Sequence, residues 1–130
     1  MLVFDKEYKF KYTPYSQNLI AEHCPDEKAK NIIKTLVEKA EKGGNDFYEY
    51  LGIMAEALSK GFVVSELFLA GKPLSELENS DYFKKETVFH MNISELIDLQ
   101  IEVLSIITGQ SKQSVEAIVE KKTGKTAELN

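Results

Sequence analysis

The chain contains no tryptophan, one cysteine, two histidines and three prolines among its 130 residues. A lone Cys24 cannot close an intramolecular disulfide, so the fold has to stand on its core and a reducing compartment is expected. His23 and His90 lie far apart, and with one cysteine they offer no metal-ligand spacing. HExxH, EF-hand and Walker glycine-loop patterns are all missing. So are internal repeats and low-complexity segments. No apolar run approaches the roughly 18 residues that span a membrane. The N-terminus lacks the basic region and long apolar core of a signal peptide, so a cytoplasmic location is expected.

Positive charge is also scarce. Sixteen basic residues face 21 acidic ones, for a net charge of −5 and a pI near 5.1. Phosphate contacts supply most nucleic-acid affinity, so a nucleic-acid partner is disfavoured. Two lysine clusters, Lys6/Lys9/Lys11 and Lys121/Lys122/Lys125, read as solvated surface charge.

What is present is ordinary globular material, 43% hydrophobic and 28% charged. The length fits one domain, expected over residues 1–124, with a polar, frayed tail at 125–130. Tyr8, Phe10 and Tyr12 alternate with Lys9 and Lys11, the period of a strand with one buried face. With Leu2, Val3 and Phe4 ahead of it and Asp5-Lys6 as the turn, residues 2–12 predict a β-hairpin. Thr13 then caps a helix with Pro14 in its first position. Residues 26–42 carry Ala29, Ile32, Ile33, Leu36, Val37 and Ala40 on one helical stripe. Asp46 with Glu49 resembles a capping box for a helix bearing Phe47, Tyr50, Leu51, Met54 and Leu58, which Lys60-Gly61 is expected to close. Residues 62–70 fit helix or strand. Residues 86–91 are strand-like and a candidate third strand for the hairpin. Asn92 and Glu95 open a helix over residues 92–107, Gly109 ends it, and Ser111 starts a last helix with Val115, Ile118 and Val119. The fold class that follows is α+β and mostly helical, a β-hairpin packed on a bundle of about five helices.

Chemistry is harder to find. His23 and Cys24 are adjacent, and adjacent residues rarely face one another. A free cysteine is usually a small buried hydrophobe. No carboxylate pair is set apart from the rest. The glycines at 43–44, 61, 71, 109 and 124 sit where helices are expected to end, so capping explains them without a ligand. No catalytic, metal or cofactor site is expected. The aromatic run Tyr8, Phe10, Tyr12 reads as the inner face of a small sheet, which leaves Tyr15 as a surface candidate.

The order of elements carries a resemblance. Residues 6–12 read Lys-Glu-Tyr-Lys-Phe-Lys-Tyr and lead into a helix. Residues 47–62 read Phe-Tyr-Glu-Tyr-Leu-Gly-Ile-Met-Ala-Glu-Ala-Leu-Ser-Lys-Gly-Phe, and late helices contain Ser94-Glu-Leu-Ile-Asp-Leu-Gln and Ser114-Val-Glu-Ala-Ile-Val-Glu-Lys-Lys. This pattern resembles the small tail assembly chaperones of long-tailed bacteriophages and prophages. The resemblance implies a helical, non-enzymatic protein in the cytoplasm of a bacterial host. It would bind a tape-measure protein and tail-tube subunits, and self-association stays open. The family has no catalytic residues to transfer.

The helix over 92–107 has more apolar positions than one stripe needs, so it is either central in the core, the favoured reading, or shared between the core and a partner, and a binding surface is to be sought there first. The candidate protein-binding surface comprises Leu99, Ile101, Val103, Ile106 and Tyr15. A regulatory adaptor or antitoxin-like protein, binding protein or DNA, is the competing reading. An enzyme of unrecognised type would need a deep pocket with converging polar groups.

Overall fold

The structure, a computed structural model, describes residues 1–23 and 29–123. Expectations that fall on Cys24, Asp26, Glu27, Lys125 and the tail at 125–130 lie outside the described residues. The side chains of Ala29, Ile32, Ile33, Val37, Ile118, Val119, Lys121 and Lys122 do too.

Two short strands, β1 (Leu2–Val3) and β2 (Lys6–Glu7), pair antiparallel with Val3 opposite Lys6 and Leu2 opposite Glu7. The turn is therefore Phe4-Asp5, one residue earlier than the sequence suggests. Both residues adopt positive φ, 52° and 64°, as a type I′ hairpin turn requires. The ladder ends early, yet the alternation is real. Tyr8, Phe10 and Tyr12 pack against the core as an extended ribbon while Lys9 and Lys11 face out. The ribbon's ladder is replaced by a helix: the Lys11 N–H donates to the Leu58 carbonyl at 3.0 Å.

Helix α1 (Pro14–His23) follows. The Ser16 N–H donates to Thr13 Oγ1 at 3.2 Å, and the buried Ser16 hydroxyl donates to the Lys11 carbonyl at 2.9 Å. Helix α2 (Ala29–Lys42) contributes the fully buried Leu36.

Helix α3 (Asn45–Leu69) is the centre of the molecule, 25 residues long. It packs on α1, α2 and α4. Gly61 does not close it. That glycine exists for a different reason: a Cβ there would lie 2.7 Å from the Lys11 carbonyl oxygen and 3.0 Å from Ser16. Gly52 plays the same part nine residues earlier, where a Cβ would lie 2.5 Å from the Lys85 carbonyl oxygen. At both positions another piece of backbone crosses the helix too closely for any side chain. Gly44 precedes α3 with no side-chain cap, so Asp46 is a first-turn charge and the capping box expected with Glu49 does not form.

Two 3₁₀ helices follow, α3-proximal turns at Leu74–Asn79 and Lys85–His90. The second occupies the candidate third strand. Its backbone is committed to local turns such as Thr87 N–H to the Lys84 carbonyl, and the Lys85 N–H donates to Glu56 Oε1 on α3. Between the two turns Phe83 is fully buried. Its N–H donates to Ser59 Oγ at 2.9 Å, and its ring meets Tyr8 edge-on at 5.3 Å.

Helix α4 (Ile93–Thr108) opens with a complete capping box: Asn92 Oδ1 accepts the Glu95 N–H and Glu95 Oε1 accepts the Asn92 N–H, each at 2.9 Å. Gly109 ends it in the left-handed conformation. Ser111 Oγ accepts the Ser114 N–H, and α5 (Lys112–Thr123) runs back with Val115 buried against α2 and α4. The architecture is thus α+β and mostly helical, a two-stranded ribbon on a helical assembly. No helix among the described residues is long and apolar enough to cross a membrane.

Candidate functional site

Helix α4 has an apolar sector wider than the face it buries. Leu96, Leu99, Val103, Leu104 and Ile107 are buried against the neighbouring helices. Leu99 and Val103, expected on the binding surface, are core residues at 0% exposure, because their positions point at the packed side of the helix. Ile101 and Ile106 are half-buried and touch the core edge. Tyr15 is half-buried on α1, which packs on α3, so it does not join this surface.

The side that remains open was partly missed by sequence reasoning. Ile93 and Ile97 are 58% and 40% exposed, and with Ile101 they sit four residues apart, in line along α4. Phe89, 52% exposed, lies just ahead of them in the chain. The signal was present as the overflow of apolar positions. What it lacked was the direction of overflow, which depends on where α2, α3 and α5 dock.

Ile101 also forms the floor of a groove of about 390 Å³ between α4, the first turns of α5 and the N-terminus. Asp98, Glu102 and Glu116 wall it, with Met1 at one side. Lys112 reaches across from α5 to Glu102 at 2.9 Å. The Met1 ammonium is engaged elsewhere, by the Glu7 carboxylate and the Tyr8 carbonyl. That interaction holds the Glu7 carboxyl below its usual range. At the far end of the hairpin, the Asp81 carboxylate accepts from Lys6 and raises the lysine's pKa. The first contact closes the ribbon on itself, and the Lys6–Asp81 pair ties it to the segment between the two 3₁₀ helices.

Further concavities lie elsewhere, one of about 350 Å³ between the ribbon and α3, lined by Tyr8, Lys9, Phe62, Glu66 and Asp81. A smaller one of about 140 Å³ between α1 and α3 contains Glu56, but that carboxylate accepts the Lys85 N–H and lies 3.6 Å from Lys60. His23 and His90 are both exposed, and among the described residues no group of three His, Cys, Asp or Glu is placed to hold a metal. A second apolar exposure occurs at the end of α3, where Phe68 and Leu69 are 80% and 73% exposed with Leu74 beyond them.

Comparison of the chain with protein-family models, with curated proteins and with solved structures finds no match.

Proposed function

We propose that the chain is a non-enzymatic, protein-binding assembly factor acting in the cytoplasm of a bacterial host, and within that class a phage tail assembly chaperone that binds the tape-measure protein and tail-tube subunits. The observation that carries the protein-binding part is the exposed pair Ile93 and Ile97, in line with the half-buried Ile101 along a well-capped helix. Rigid, preformed apolar lines of this kind suit a partner helix laid alongside. The narrower assignment rests on the sequence resemblance.

The test is capture from the native host after prophage induction, with the wild-type chain and an Ile93→Ser/Ile97→Ser variant. The wild type is expected to retain a very long helical protein or a tail-tube subunit, and the variant to lose it while keeping its melting temperature. Recovery of a small toxin or DNA instead would replace this reading with the regulatory adaptor.

A further inference from the structure

Resting on the protein-binding reading, we infer that this surface is selective for charge: its occupant is an amphipathic helix whose apolar stripe is flanked by lysine or arginine. Ile93, Ile97 and Ile101 supply the apolar half. From first to last they span nine residues of helix, a rise of roughly 12 Å, or about two turns of a parallel partner. The groove that begins at Ile101 supplies the charge. Three carboxylates, Asp98, Glu102 and Glu116, face one ammonium, Lys112, an excess of two negative charges. Lys112 is committed to Glu102, and among the described residues Asp98 and Glu116 have no ion-pair partner. The N-terminal ammonium beside them is held by Glu7 and does not neutralise the wall.

The arrangement on α4 makes the two halves parallel. Asp98 follows Ile97 directly and Glu102 follows Ile101, so an acidic row runs beside the isoleucine row at the same pitch. An apolar helix that lacked basic flanks would cover Asp98 and Glu116 without compensation. One with acidic flanks would meet them directly, and like charges in contact exclude a partner more strongly than matched charges attract it. Charge therefore sets which amphipathic helix fits, and the isoleucines set how tightly it is held.

Two synthetic helical peptides test this, identical in length and leucine stripe, one flanked by lysines and the other by glutamates, titrated by fluorescence anisotropy. The lysine peptide is expected to bind the wild-type chain at least about tenfold more tightly than the glutamate peptide. The difference should shrink as ionic strength rises. Asp98→Lys with Glu116→Lys should invert the order. Ile93→Ser with Ile97→Ser should weaken the lysine peptide without inverting it. All four positions are exposed, so both variants are expected to fold, with unchanged circular dichroism as the control. Equal binding of the two peptides, no binding of either, or an order that survives charge reversal would each overturn the inference. Capture of the same host protein by the wild type and by the charge-reversed chain would remove the charge selectivity while leaving the protein-binding reading in place. Peptide sorting without any captured protein would do the opposite.

Discussion

Helices α3 and α4 are both rich in apolar residues, but they meet the rest of the molecule in different ways. Helix α3 is crossed. Its glycines at 52 and 61 let the Lys85 and Lys11 backbones pass at distances that admit no side chain. Helix α4 is flanked. Its large residues bury one side and overrun it, leaving Ile93 and Ile97 open. Small residues inside this helical pattern mark where another segment crosses, whereas surplus large ones mark where nothing among the described residues has arrived. Gly61 within α3 and Ile97 in the second turn of α4 carry those two messages.

The contrast is sharpest within α4 itself. Leu99→Ala removes a fully buried side chain and should lower stability by about 2–5 kcal/mol, whereas Ile97→Ala should stay within about 0.5 kcal/mol. Urea denaturation of the two variants compares them directly, and equal losses would mean that the isoleucine row is core. The crossings on α3 come next. Gly52→Ala and Gly61→Ala each place a methyl group against a carbonyl oxygen and should cost about 1–3 kcal/mol, despite the roughly 1 kcal/mol that alanine ordinarily gains over glycine in a helix. A rise in melting temperature for either would show that the crossing is looser than the distances imply. The smallest effect concerns how each helix begins. Asn92→Ala removes the side chain that caps α4 and should cost about 1 kcal/mol. Asp46→Ala, where α3 has no side-chain cap, should show the lesser loss in the same denaturation series.

Much of this was legible in the residues. The capping box at Asn92 and Glu95, the left-handed stop at Gly109 and the start at Thr13-Pro14 are local signals, and local hydrogen bonds decide them. The alternation of Tyr8, Phe10 and Tyr12 correctly gave their buried side. The failures share one cause, a distant segment changing what a local pattern means. Gly61 next to Lys60 has the form of a helix end, and only the Lys11 carbonyl against it explains why the helix runs on to Leu69. Residues 86–91 have strand composition, but the ribbon's ladder stops at Glu7 and the segment turns instead over Gly52. Leu99 and Val103 lay within the surplus on α4 and proved to be core, because helix periodicity gives the relative angles of side chains and not which angle faces the neighbours. The open row, Ile93 and Ile97, was in the same pattern but could be chosen only once α2, α3 and α5 were in place.

The bond from the Lys11 amide to the Leu58 carbonyl joins residues nearly fifty positions apart without using a side chain. Among substitutions only Lys11→Pro would delete it, whereas solvent deuterium reports on it in the unaltered chain. That amide exchanges only when the ribbon lifts from α3, so it is a single-site clock for undocking of the N-terminal segment. If it exchanges as slowly as the amides in the middle of α3, the ribbon and the long helix open as one cooperative unit. If it exchanges faster, the ribbon is a latch with its own free energy of opening, set by the Phe83 cluster and the Lys6–Asp81 ion pair and not by the stability of the helices beneath it.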